Sequence, residues 1–215
     1  MRVGICTIPS RLDNYTKDLV DCLKNSATDI KLFIDEERKG HTWNCKRMYR
    51  EMLKSADQDE MILLCMDDCI TIPKWKEYLQ DLHTKAQTGI YVLFNRKRWH
   101  FKQENLDRGF SNGVHKGSYY DHAVAFVNQQ DLPDKIDAFW ETKKDCAEYN
   151  KRRGKHYDIV ILDTLKHFDI EYTIATPTLF EHTGHISSLG HDIGESFNYI
   201  GDGTEQNNDY IKWRT

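Results

Sequence analysis

Six consecutive apolar residues, Met61-Ile62-Leu63-Leu64-Cys65-Met66, run straight into two aspartates, Asp67 and Asp68. An unbroken apolar run of that length predicts a central strand covered on both faces, because a strand with one wet face alternates polar and apolar. The flanking sequence repeats the theme. Val3 to Thr7 predicts a short buried strand that Ile8-Pro9-Ser10-Arg11 breaks into a loop, before a helical pattern from about Asn14 to Lys24. Lys31 to Ile34 predicts a second strand, ended by the charged run Asp35 to Lys39 and by Gly40. Thr42 then caps a predicted helix to about Lys54, with Trp43, Met48 and Met52 on one side. A helix starting at Pro73 and reaching about Thr84, then a strand from Ile90 to Phe94, continue the alternation. Strand and helix in turn predict an α/β fold, with a central, mostly parallel sheet flanked by helices.

The length of 215 residues suits one domain. Its second half is less regular. Residues 95–118 are rich in Gly, Asn, Arg and Lys and read as a long loop, the kind that carries function. Tyr119 to Val127 predicts a strand, Asp131 to about Arg152 is mostly helical, and Asp158 to Phe168 predicts a helix with Leu162, Leu165 and Phe168 inward. Tyr172 to Ala175 predicts a last short strand, and from Pro177 onward repeated glycines mark an irregular tail. The six cysteines form no C-x-x-C pair and mostly lie in apolar or helical patterns, where a thiol behaves as a small hydrophobe. MRVGICTIPSR lacks the apolar core of a signal peptide, and no segment approaches the roughly 18 apolar residues of a membrane span. A cytoplasmic protein without a membrane partner is expected.

Ligands of an open α/β sheet collect at the carboxyl ends of its strands, so Pro9 to Arg11, Asp35 and Asp67-Asp68 are expected to share one crevice. Two carboxylates directly after a buried strand suit a hard divalent cation and, through it, a phosphate; alone they would more readily be read as a solvated turn. No G-x-G-x-x-G follows the first strand and no G-x-x-x-x-G-K-[ST] occurs, which argues against a Rossmann dehydrogenase and a P-loop enzyme. Phosphates would then be neutralised by metal and side chains.

The strand and acidic pair, LLCMDDCITIP, resemble the DxD-type motif of GT-A glycosyltransferases, and VGICTIPSR is similar to that family's first strand and loop. The resemblance implies one GT-A-like domain over residues 1–215: a nucleotide-sugar half to about residue 94, an acceptor half over about 95–191, and a tail over 192–215. It implies a nucleotide-sugar donor, a UDP-sugar above all, bound with Mn²⁺ or Mg²⁺. Thr7, Pro9, Arg11 and Asp35 fall where the family holds the nucleoside, and GHTWNCKRMYREML resembles a helix that carries Asn44 and Arg47 toward the donor. Met66 stands where the first acidic residue of the motif is expected. Asp68 therefore inherits the metal role, Asp67 turns toward the ribose or a metal-bound water, and a weaker metal dependence is left open. YDIVILDTLKHFDIEYTIATPTLFEHTGH resembles the last part of compact bacterial and phage members, which assigns His182 to the metal and Asp158 to the acceptor side as general base. Asp121, beside His122, is the reserve for that base.

Several of these residues have plainer roles open to them. His182 could be a core or capping histidine, although EHTGH packs two imidazoles close together, and Asp158 could only offset a helix dipole. The basic stretches, with Arg96, Arg98 and Trp99 in one and Arg152 and Arg153 in the other, could be solvated surface. Cations beside aromatics also bind phosphates and stack on splayed bases, so a DNA acceptor fits, and phage enzymes that glycosylate modified DNA bases would be the matching subclass. A cell-surface glycan is the alternative acceptor. Two readings from other classes stand beside the transferase: a non-catalytic nucleic-acid-binding module on the same fold, and a metal-dependent phosphohydrolase built on the acidic pair.

Overall fold

A computed structural model describes residues 1–72, 74–94, 103–112, 122–176 and 178–182. The expected α/β architecture is present: a mixed seven-stranded sheet with helices on both faces. Its first strands are β1 (Arg2–Thr7), β2 (Asp29–Ile34) and β3 (Ile62–Met66), separated by α1 (Lys17–Leu23) and α2 (His41–Lys54). A short β4 (Cys69–Thr71) and α3 (Trp75–Ala86) lead to β5 (Ile90–Val92), and α4 (Gln103–Arg108) precedes β6 (Phe110–Asn112). The chain closes through β7 (Ala123–Phe126), α5 (Leu132–Lys143), α6 (Ala147–Arg152), α7 (Tyr157–His167), β8 (Thr173–Ala175) and β9 (Phe180–His182).

The strand order is β2-β1-β3-β7-β5-β8-β6. β1 pairs in parallel with β2 and β3, and β5 with β8, whereas β7 runs against both β3 and β5 and β6 runs against β8. Five strands therefore share one direction and two oppose it. β3 lies between β1 and β7, and Ile62 to Met66 are all buried, as the apolar run requires. A separate ribbon joins β4 and β9 antiparallel, with Cys69 opposite His182.

Side-chain alternation along β1 sends successive residues to opposite faces. A Cβ on Gly4 would lie 3.0–3.2 Å from Leu64, Met52 and Met48, so the absence of a side chain lets α2 lie close against the strand. Cys6, two residues on, faces the same helix, while Thr7 turns to Thr16 beyond the other face. α2 also packs on α5 and α7, with Tyr49 set edge-on against both Phe126 and Tyr157.

Several sequence expectations change here: the stretch read as a long loop over residues 95–118 holds α4 and β6, and the tail read as irregular from Pro177 opens with β9. α2 begins at His41, with Gly40 at φ 97° before it and no side-chain cap, so Thr42 does not cap it; its hydroxyl instead donates to the Lys155 carbonyl at 3.0 Å. Met48 and Met52 are buried but Trp43 is 37% exposed, flanked by Lys39 and Arg47, whose cationic groups stand 4.6 and 4.9 Å from its ring centre. In α7, Leu162 and Leu165 face the core, whereas Phe168, just past the helix end, is 38% exposed.

Candidate functional site

The registers Thr7 opposite Ile34 and Cys6 opposite Met66 bring the ends of β1, β2 and β3 level, so Thr7, Asp35 and Asp67 emerge side by side. After β1 the chain makes a tight turn of 3₁₀ form over Pro9–Arg11 and a widened π turn over Leu12–Thr16 before α1 begins. Wide turns of this kind recur at functional sites. Here they fold Arg11 back over the strand ends.

The centre is an ion-paired triad. Arg11 Nη1 donates to Asp67 Oδ1 at 2.7 Å and to Asp68 Oδ2 at 3.2 Å, with the three side chains only 10%, 6% and 14% exposed. Thr7 Oγ1 donates to the other Asp67 oxygen at 2.6 Å and lies 2.7 Å from Thr16 Oγ1. Burial is the largest influence on Asp67 and raises its pKa above the ordinary aspartate value, against the opposing pull of the Thr7 hydroxyl and the Arg11 charge. Burial works against the charge on Arg11 too, but the two carboxylates outweigh it and its pKa stands raised. Two carboxylates thus share one guanidinium in a nearly dry setting.

Around the triad, several predicted residues are used internally. Asp35 accepts the Lys39 and Gly40 amides at 2.8 and 2.7 Å, one on each oxygen, and so closes the loop that delivers the chain to α2. Asn44 is turned inward: its Nδ2 donates to the Phe33 carbonyl at 2.6 Å and lies 3.3 Å from the Thr7 carbonyl. It ties α2 to the ends of β1 and β2. Arg47 Nη2 donates to the Ile34 carbonyl at 3.0 Å and to Asn44 Oδ1 at 2.9 Å. Its Nε is buried without a hydrogen-bond partner among the described residues. Pro9 is exposed at the start of its turn.

The β4–β9 ribbon places the backbone of His182 opposite Cys69, one residue beyond Asp68. Asp158 sits in the first turn of α7, where its carboxylate accepts the Ile159 amide at 2.8 Å. α7 leads down into β8, which runs with β5 and so in the same direction as β1, and its first turn therefore lies toward the carboxyl edge of the sheet. The Thr42–Lys155 bond ties that end to the start of α2.

In the second basic stretch, Arg153 pairs within the chain. Arg153 donates from Nε and Nη2 to the two oxygens of Asp163 at 2.8 and 2.7 Å, a two-pronged pair on α7 that also receives the Tyr149 hydroxyl at 3.1 Å. The pair uses Nε and Nη2 and leaves the Arg153 side chain 46% exposed. Arg152 lies at the end of α6. Arg96, Arg98, Trp99 and Asp121 lie outside the described residues, as do the second histidine of EHTGH, His185, and the glycine-rich tail.

Two features were not expected from sequence: the bridging of both aspartates by Arg11, and a cluster of Cys6, His41 and Cys45 behind the triad. The first joins residues 56 and 57 positions apart and leaves no local signal. The second has half a signal, because His41 and Cys45 stand four apart on one helical face.

No protein-family model and no curated protein matches this sequence. Among solved structures, A197 from STIV aligns over 96% of this chain and 100% of its own, at 10% identity and a TM-score of 0.49. A glycosyltransferase involved in glycosylation of the major capsid of PBCV-1 aligns over 87% and 95%, at 13% identity and a TM-score of 0.48. The galactosyltransferase LgtC aligns over 80% and 73%, at 12% identity and a TM-score of 0.41. At these scores the likeness is loose, and no residue role in this chain rests on it.

Proposed function

We propose that this chain is a GT-A-type glycosyltransferase that moves a sugar from a nucleotide-sugar donor, a UDP-sugar by preference, to an acceptor hydroxyl. The observation that carries the reading is the Arg11–Asp67–Asp68 triad at the shared edge of β1, β2 and β3, with the strand of His182 paired beside it. A pair of carboxylates at a buried strand end suits a hard divalent cation, and a carboxylate together with an imidazole is a donor set that Mn²⁺ accepts. Asp68 and His182 would hold that ion. Bound there, Mn²⁺ or Mg²⁺ would offset the charge of the departing diphosphate.

The chain's own residues do the rest. Thr7 and Arg11 fix Asp67 by hydrogen bonds that offset part of the burial raising its pKa, so that a ribose hydroxyl can meet an oriented acceptor. Asp35 holds the loop under the nucleoside and retains further acceptor directions beyond the two amides it binds. Asn44 and Arg47 act as positioning residues for the strand ends. Asp158, at the same edge, takes the proton of the acceptor hydroxyl in an inverting reaction. The acceptor we favour is a hydroxyl on a modified base in DNA, on the strength of the basic and aromatic residues of 96–102 together with Lys151 and Lys155.

The test is Asp68→Asn, assayed for sugar transfer and for donor hydrolysis with Mn²⁺ and with EDTA. Turnover is expected to fall by at least about 100-fold, the scale on which losing one electrostatic stabiliser acts, with circular dichroism unchanged. Full activity in that variant would overturn the metal assignment. Phosphate release without any sugar acceptor would favour the phosphohydrolase.

A further inference from the structure

On the α2 face of the sheet, directly behind the triad, three soft or borderline ligands converge. Cys6 is the last residue but one of β1, and His41 and Cys45 occupy one side of the first turns of α2; their ligand atoms all lie within 4.8 Å of one another. The Cys6 and Cys45 sulfurs are 3.7 Å apart, and Cys45 Sγ lies 3.6 and 3.4 Å from the two ring nitrogens of His41. Bond lengths of about 2.3 Å to sulfur and about 2.0–2.1 Å to nitrogen make the edges of a tetrahedral zinc site about 3.8 Å for S···S and about 3.6 Å for S···N. The Cys6–Cys45 and Cys45–His41 spacings match those edges, and the Cys6 and His41 ligand atoms lie within 4.8 Å of each other.

We propose that Cys6, His41 and Cys45 form a zinc site, separate in place and in chemistry from the carboxylate pair. Both thiols are buried, while His41 is half-buried beside exposed Gly40, which gives the ion a way in. Asn44 Nδ2 lies 3.1 Å from Cys6 Sγ and supplies the outer hydrogen bond that steadies a thiolate, and the Met66 thioether, 4.0 Å from Cys45 Sγ, adds a soft wall. Such a set selects a thiophilic ion over Mg²⁺ or Mn²⁺. Binding joins Zn²⁺ to two thiolates and one neutral imidazole nitrogen, releases two thiol protons to solvent, and leaves a fourth position for water. The ion would pin the end of β1 to the start of α2, and with it the carbonyl of Cys6, which accepts the Asp67 amide at 3.2 Å.

Cobalt provides the reading, because a Co²⁺–thiolate site shows charge transfer in the near ultraviolet that a carboxylate–imidazole site lacks. Full-length protein, reduced and stripped of metal, is titrated with Co²⁺ and then with Zn²⁺. One equivalent with the thiolate signature, displaced by zinc, is expected in the unaltered chain, in Asp68→Asn and in Cys22→Ser. Cys45→Ser and His41→Gln should each lose that signature and bind zinc more weakly by more than the roughly 10–100-fold that loss of a supporting contact costs. His41→Gln keeps the test decisive if Cys45→Ser fails to fold. Absence of the thiolate signature in the unaltered chain, or its survival in folded His41→Gln and Cys45→Ser, would overturn the proposal.

Discussion

At the scale of single residues, Arg11 decides whether the acidic pair can exist in its surroundings. Asp67 is buried with its pKa raised, and the guanidinium and the Thr7 hydroxyl are what offset the loss of water. Arg11→Ala would leave two adjacent carboxylates in a nearly dry pocket, and removing one member of a buried pair costs about 3–5 kcal/mol. The sign of its pH dependence follows from linkage. Without Arg11 the folded-state pKa of Asp67 rises further above its unfolded value of about 3.9, so the folded protein holds the extra proton and the deficit is small below that value. Stability is then lost as pH rises through the higher folded value. Urea unfolding of Arg11→Ala and the unaltered chain from acid to neutral pH checks this; a deficit that grows on acidification would contradict it. The position of Asp67 and Asp68 was legible because a buried strand must end where charge begins, whereas their partner was not, since contacts between distant loops leave no periodicity to read. Arg153 is a second case: nothing in its basic run signals Asp163, one helix away, which only folding brings to its guanidinium.

At the scale of elements, the sequence carried identity better than direction. Apolar runs marked β1, β3 and β5 because burial on both faces imposes them, yet nothing in an apolar run records which way the strand points, and so the reversal of β7 against its neighbours went unseen. Trp43 and Phe168 were misplaced for a related reason: an aromatic at helical spacing suits a core or a cationic surface equally, and here Lys39 and Arg47 take up the Trp43 ring. Gly4 is the hinge of the β1–α2 contact. Its φ needs no glycine, but a methyl group would press on Leu64, Met52 and Met48 at 3.0–3.2 Å. Gly4→Ala should therefore destabilise the fold by about 1–3 kcal/mol through overpacking, read as a lower urea midpoint with an unchanged slope. Because α2 carries Asn44 and Arg47 onto the strand ends, the same variant should weaken donor binding even where it remains folded. A Gly4→Ala chain as stable as the parent would show that α2 can shift away without cost.

At the scale of the whole molecule, the rival readings differ in what stabilises the native state. A ligand that binds only the folded chain raises its stability by about 2.7 kcal/mol at a concentration 100 times its Kd, or about 5–10 °C in Tm for a chain of this size. A transferase that screens its donor's diphosphate with a cation predicts this shift for one class of nucleotide sugar with Mn²⁺, little for the same compound with EDTA, and little for Mn²⁺ alone. It also predicts that the shift disappears in Asp68→Asn but survives in Arg153→Ala, whose guanidinium pairs with Asp163. A nucleic-acid module predicts the reverse pattern: no nucleotide sugar moves the transition, while DNA does, with a shift that collapses as salt rises because phosphate contacts release counterions. A DNA-glycosylating enzyme must satisfy both halves at once, a salt-sensitive response to DNA and a metal-dependent response to the donor. The response to the donor is the stricter demand, since the net charge of −4 leaves the basic segments as local patches, and a local patch binds anions whether or not the strand ends beside it perform chemistry.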